Sequence, residues 1–543
     1  MALPSNSRAS DRLSMFTNIP SGSNDDLDSE SFTPTIQLRA QRRFNASDNL
    51  LDPLEISDSK LSPDSSTIQD VALIIGNLQS NSEPLIHEAI QSLSSIAFKL
   101  DSHPQFVDQF VGMNGIDVLI QSVTQLSNDS MTSKMLSILI NLMIKSKIVS
   151  NNIAFSEFTN HIDQYLHSDD PSIVCDTLWC CSNLSADSQL IRTHLISSTS
   201  LLQTIVLHIQ RDSPHLAHGL FLLRNLSICQ NDNPAFDTIF DSILNLLVVF
   251  TDPQFIVKPL PDKKKDNPPQ ADLLVCLTHL VPNNPVRMAS LCQIPHLTSI
   301  RTIFQSIRSL NLHRETLRLI STITDVSDGL PPNLAIFQSI VESGLLQAVL
   351  PYAADIYRSI DQIVVRSSKT LSSFFSNLSL VIFQIYYNFI YVSETYKFML
   401  IQCGIMQQLY AFAPFSEIPH QSSILNILTV FSNSSPDVIR FVSQTGGFPL
   451  IILVILLRTT SDTIRRKALI AFLRFITAVF ALPPTESQQT MESPSEGVLL
   501  YKLIHECELS TMLESLTTHL NKTVSALAGT IIDTIHEFGG EPE

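Results

Sequence analysis

A phrase of the form apolar, x, Asn, apolar returns along this chain at a fixed interval. ILINLM supplies Asn141, CCSNLS supplies Asn183 and LLRNLS supplies Asn225, each 42 residues after the one before. Further on, IYYNFI supplies Asn388, and LTVFS places Val430 another 42 residues along. Such an interval is that of units made of two or three helices, ~40–47 residues each. A unit of that size cannot bury its own apolar face, so neighbours must stack and share one extended core. The interval lengthens twice. It is 54 between Asn225 and His279, with the excess in KPLPDKKKDNPPQ (258–270), and 66 between Thr322 and Asn388, with the excess in YRSIDQIVVRSSKTLSSFFSNLS (357–379). Both stretches read as loops or extra helical pieces between repeats.

From about residue 66 onward apolar residues fall at helical spacing, broken by short polar turns such as SNDS, HSDDPS and QRDSP. Only 14 glycines occur in 543 residues, which suits long helices. The expected fold is therefore all-α, a solenoid of about ten repeats of armadillo or HEAT length over residues 66–540. Residues 1–65 are rich in Ser, Asp, Asn and Pro and read as a disordered N-terminal arm. That arm has no signal-type apolar core, and FPLIILVILL (448–457) is about half of what spans a bilayer, so it reads as a buried helix. The chain is expected to be soluble and intracellular, with no membrane insertion.

The formal net charge is −17, from 51 acids against 34 bases. Phosphate binding needs a basic footprint, so the balance argues against direct nucleic-acid binding. It suits a basic partner, and equally a chain kept soluble by its acids. The eight cysteines, Cys175, Cys180, Cys181, Cys229, Cys276, Cys292, Cys403 and Cys507, lie in apolar segments with no CxxC pair. They read as small buried hydrophobes in a reducing compartment. Nucleotide-loop, metalloprotease and hydrolase motifs are missing, and IHE at 86–88 and 504–506 lacks a second metal ligand. No enzyme activity, metal or cofactor is expected.

LWCCSNLSADSQLIRTHL closely resembles the tryptophan–asparagine helix of importin alpha (karyopherin alpha), the armadillo adaptor of nuclear import. HGLFLLRNLSICQNDNPAFDTIFDSILNLL resembles the repeat that follows, ADLLVCLTHLV the next, and LRLISTI the family's repeat with Arg in place of Trp, here Arg318. YKLIHECELSTMLESLTTHLNKTVSALAGTIIDTIHEF is similar to the last repeats, so the resemblance covers about residues 70–540 in order. It implies an armadillo-repeat right-handed solenoid in which the third helix of each unit lines a concave groove for nuclear localisation peptides rich in Lys and Arg.

Positions i and i+4 share a helix face, so Trp179 and Asn183 would enter that groove together. An Asn amide donates and accepts, and Asn141, Asn183 and Asn225 at a fixed period would hold an extended peptide backbone. Trp179 and Phe221 would wall the slots for lysine stems. The resemblance assigns Asp187 to the lysine ammonium and Asp272 to a second groove acid, and Asp176 adds charge one turn before Trp179. Two other readings stand beside these. A lone Trp on an apolar helix is often core, and helix asparagines in solenoids also serve as bonds between neighbouring units.

The pattern departs from the family in places. Ser137, Val275, Gln384 and Asn426 stand where Trp is expected, His279, Thr322 and Val430 where Asn is expected, Lys145 for a small residue, and Ser423 for an acid. The second, minor groove keeps only Arg318 and Asn388, so a single-cluster peptide fits better than a bipartite one. IQLRAQRRFNASDNLL (36–51) resembles the latter half of the importin-beta-binding arm, with Arg39, Arg42 and Arg43 as its bases, or is an ordinary Arg cluster in a tail. DKKK (262–265) is a solvated loop or a self-ligand. The resemblance thus implies a nuclear import adaptor linking cargo to importin beta, returned by a nuclear export receptor with Ran, and shuttling between cytoplasm and nucleus. The alternative is an armadillo scaffold of the same descent that binds a different extended partner.

Overall fold

A computed structural model describes residues 66–98, 104–126, 128–210, 213–228, 232–256, 268–326, 333–353, 369–483 and 495–539. Every regular element among them is helical. They form two compact units. One holds the described residues up to Leu291 with Ser306–Glu315, the other Cys292–Gln305 and Thr316 onward. The whole of the expected arm, including Arg39, Arg42 and Arg43, and the DKKK cluster lie outside the described residues, as does Cys229.

In the first unit the long helices α1 (Asp129–Lys145), α2 (Pro171–Asp187), α3 (Leu216–Leu226) and α4 (Pro269–Leu280) pack each on the next. They carry the Asn141, Asn183, Asn225 and His279 positions, so the period read in the sequence is the spacing of stacked helices. The second unit contains Arg318 on α5 (Leu310–Ile323). It also stacks α6 (Lys369–Val392), α7 (Ile418–Ser432), α8 (Asp462–Phe480) and α9 (Lys522–Gly539) in the same way. Of the 357–379 excess, Lys369 onward lengthens α6 to 24 residues; of 258–270, Pro269 and Gln270 open α4.

Local chemistry sets the ends. Asp170 caps α2, its carboxylate accepting from the Ser172 N–H at 2.8 Å, with Pro171 at the first helical position. Ser188 ends α2, its N–H donating to the Leu184 carbonyl at 2.8 Å, and its hydroxyl accepts from Ile191 N–H at 3.4 Å to start Gln189–Ser197. Ser198 does the same between Gln189–Ser197 and Thr199–His208. Gly404 and Gly446 turn corners at φ 82° and 65° before Ile405–Phe412 and Gly447–Arg458. A side chain is strained in that region of φ, so glycine is favoured at these corners.

α2 is enclosed on nearly all sides. Ile173, Val174, Thr177, Leu178, Cys180, Cys181, Ser182, Asn183, Leu184, Ser185 and Ala186 are buried. A helix apolar all round belongs inside a core, here made by α1 and α3 on its flanks. The run 448–457 is likewise packed inward through Phe448, Ile451, Ile452, Ile455 and Leu456. Among the described residues no single helix is long and apolar enough to cross a membrane. Cys180, Cys181, Cys276 and Cys292 are buried, and burial pushes the thiols of Cys181, Cys276 and Cys292 up to about 12. Cys403 departs from the buried expectation and is exposed.

Candidate peptide-binding face

What α2 leaves accessible is one stripe. Cys175, Asp176, Trp179 and Asp187 are half-buried, at helical spacing, while the rest of the helix from Ile173 to Ala186 is covered. The indole of Trp179 lies 5.8 Å from the imidazole of His218 on α3, the rings tilted by 46°. Cys175 Sγ is 3.3 Å from His218 Nδ1. Asp176 accepts from the Ser133 hydroxyl on α1 at 3.3 Å. Asp187 accepts from the Ser150 hydroxyl of Lys147–Phe155 at 2.8 Å. The stripe thus carries one carboxylate about a turn before the indole and a second about two turns after it, Asp176 braced by a serine of the preceding repeat and Asp187 by a serine of its own. Desolvation between the helices, with the nearby Asp170 charge adding to it against the Ser133 hydrogen bond, raises the Asp176 carboxyl from 3.8 to about 6.

The asparagines differ from the expected row of groove-facing clamps. Asn183, Asn225 and Asn388 are completely buried. The amide of Asn225 donates to the Ser182 carbonyl at 2.9 Å and to the Ser182 hydroxyl at 2.7 Å, tying α3 to α2. Asn388 donates to Thr324 Oγ1 at 3.1 Å and accepts from Gln384 at 2.7 Å. Asn141 is half-buried and folds onto its own helix, donating to the Ser137 carbonyl at 2.9 Å. The physical reason is depth. The stacked helices enclose these amides, and a buried amide without partners costs ~1–3 kcal/mol, so the available bonds run to the neighbouring unit or along the helix.

Asp272 also departs from its expected place. It is buried and forms an ion pair at 2.5 Å with Arg224 of α3. It is therefore neutralised within the fold. Phe221 is half-buried, and Arg318 is half-buried on α5. The residues brought together are Asp176, Trp179 and Asp187 on one helix; Asn141, Phe221 and Asn225 sit on its stacked neighbours α1 and α3. His218 and Arg224 were not singled out in the sequence. The register contains His218, which precedes Phe221 by three residues as Asp176 precedes Trp179. The Arg224–Asp272 pair spans the 258–270 excess, which breaks the period that would reveal it.

No family model matches the chain, and no curated protein matches it. Solved structures do. The crystal structure of an engineered protein is similar at a TM-score of 0.61 and 14% identity, covering 87% of this chain and 100% of that one. So is a structure from work on a conserved phosphorylation switch controlling the interaction between cadherin and beta-catenin. Its TM-score is 0.53 at 14% identity, covering 94% of this chain and 98% of that one. Likeness at this identity shows the fold alone. The chain is an all-α solenoid of the armadillo-like kind.

Proposed function

We propose that this chain is a cargo adaptor of the importin alpha kind that holds a single cluster of Lys and Arg residues at the Trp179 turn. The observation that carries the reading is the accessible stripe of α2, a half-buried indole between Asp176 and Asp187 on an otherwise enclosed helix. An aromatic face takes a lysine stem, and Asp176 and Asp187, about three turns apart on the helix, take the cationic heads of different side chains in the cluster. Docking on importin beta, return with an export receptor and Ran, and shuttling between cytoplasm and nucleus follow from the same resemblance as parts of the proposal. A second reading, an armadillo scaffold for another extended partner, is favoured by the enclosure of Asn183 and Asn225 and by the Arg224–Asp272 pair. These remove the backbone clamps and one acid from a basic peptide's reach.

The deciding experiment titrates a fluorescent lysine-rich peptide into the full chain and into its Asp187→Lys and Trp179→Ala variants. Micromolar binding that Asp187→Lys abolishes supports the adaptor. Absence of binding by the unaltered chain moves the reading to the scaffold. Trp179→Ala is expected to remove binding with little loss of thermal stability, because the ring is half-exposed. A large drop in melting temperature would return Trp179 to the core.

A further inference from the structure

The stacked helices of the second unit carry a charge pattern of the opposite sign. Across α6, α7 and α8 the sequence holds one acid, Asp462, against Lys369, Arg465, Arg466, Lys467 and Arg474. Asp462 is already engaged, by Arg465 at 2.8 Å and by Asn521 at 3.2 Å. Lys467 reaches across to α7, its Nζ donating to the Ser422 hydroxyl at 3.2 Å. Arg474 is seven residues on and so lies on the same helix face as Lys467, with Arg466 beside it. Arg466 and Arg474 are exposed, and neither has an ion-pair partner among the described residues. In a chain with 51 acids and 34 bases, two exposed arginines beside a lysine, with Asp462 the one acid on α6, α7 and α8, are not the average outcome of composition; the acids of the next stacked helix, Asp533 and Glu537, lie on α9 beyond them.

The neighbouring helices add neutral hydrogen-bonding groups. On α7, Ser422, Ser423, Asn426 and Thr429 are half-buried. On α6, Tyr387 and Tyr391 stack at 5.8 Å, and Tyr391 is 46% exposed. Hydroxyls and amides donate to carboxylates, and guanidinium groups pair with them in fork geometry.

We propose that the α7–α8 face, with Lys467, Arg466 and Arg474 as its cations, is a docking site for an acidic peptide, one carrying several Asp and Glu side chains. It is a site of opposite preference to the Trp179 turn, lies in the other unit, and does not depend on the adaptor reading. The complement of charge decides the occupant: along α6, α7 and α8 the one acid, Asp462, is already engaged, so an acidic peptide is attracted here and a basic one repelled.

The test titrates a fluorescent 12-residue Asp/Glu-rich peptide into the full chain at low and physiological salt. The variants are Arg466→Glu with Arg474→Glu, and separately Asp187→Lys. The expected result is saturable binding that weakens with salt and falls at least about tenfold in the double variant, while Asp187→Lys leaves it unchanged. Because both arginines are exposed, the double variant should keep the melting temperature of the unaltered chain, and circular dichroism checks this. The proposal is overturned by no binding at 100-fold the concentration used for the lysine peptide, or by binding that the double variant retains. Binding of phosphatidylserine vesicles without binding of the peptide would also overturn it. Failure here leaves the lysine-peptide titration, read on Asp187→Lys, unaffected.

Discussion

The Trp179 helix and the Arg474 helix each sit inside a stack of long helices, yet they are built differently. α2 shows the solvent two acids around an aromatic ring, and is joined to its neighbours by polar side chains: Ser133 to Asp176, Asn225 to Ser182. α8 shows cations, and its interior is almost wholly apolar, with Leu469, Phe472, Phe475 and Ile476 fully covered and Phe475 stacked on Phe448 at 4.0 Å. The repeat specifies only where an apolar face must lie. It leaves the polarity of the joints and the sign of the open stripe free, so one architecture can offer two surfaces of different chemistry.

That contrast can be broken most directly at the buried arginine of the first unit. Arg287 is 2% exposed and donates to Asp237 at 2.8 Å, the Leu280 carbonyl at 3.1 Å and the Asn233 carbonyl at 2.6 Å. Arg287→Ala empties a covered site and leaves the Leu280 carbonyl without this donor, while Asp237 is exposed and stays solvated; the expected cost is about 2–4 kcal/mol by denaturant unfolding. Arg440 of the second unit is 19% exposed, but its partner Glu496 at 3.0 Å is buried, so Arg440→Ala strips a covered carboxylate of this partner and should cost about as much. A much smaller loss at Arg440 would show that the second unit relies less on its polar joint than the first does on Arg287.

Next in size are the asparagine bonds. Asn225→Ala and Asn388→Ala should each destabilise by about 1–3 kcal/mol, and Asn225→Ala should leave affinity for a lysine peptide within about twofold. A large loss of affinity with unchanged stability would restore the clamp reading of Asn225.

A smaller effect concerns acid. Asp176 has a folded carboxyl raised from 3.8 to about 6, so its ionised form is disfavoured by the fold, and that penalty disappears as pH falls below the unfolded value. A bound ammonium would favour ionisation again. Lysine-peptide affinity should then fall about eightfold from pH 6.5 to 5, with a proton released on binding near pH 6. In Asp176→Asn that slope should vanish, while acidic-peptide binding at α8 should not carry it. The smallest effect is expected at Arg474→Ser, within about 0.5 kcal/mol of the unaltered stability, since the side chain is exposed and unpaired.

Much of this architecture was legible in the sequence. The 42-residue return of Asn located the stacked helices, and SNDS and HSDDPS fell at the starts of α1 and α2. Depth was not legible. Periodicity assigns a residue to a face, but the height of Asn183 or Asn225 on that face depends on the bulk of the flanking helices, which lie 42 residues away in either direction. The pairing of Asp272 with Arg224 escaped for a related reason: the two are 48 residues apart, across an interrupted repeat. Of the open stripe, Asp176 and Trp179 were readable from helical spacing and Asp187 from the resemblance, while spacing alone also put Asn183 there, which is buried.

Ser188 and Ser198 each close one helix and open the next, so the chain turns twice there with no intervening segment. A joint without length has no slack to absorb an error. One residue added after Ser188 would rotate the helix Gln189–Ser197 by about 100°, carrying Ile191 and Leu195 off the core and toward water. The seam between units at Ser188 thus tolerates no added length, and the two long excesses, 258–270 and 357–379, fall instead inside units, running into the long helices α4 and α6.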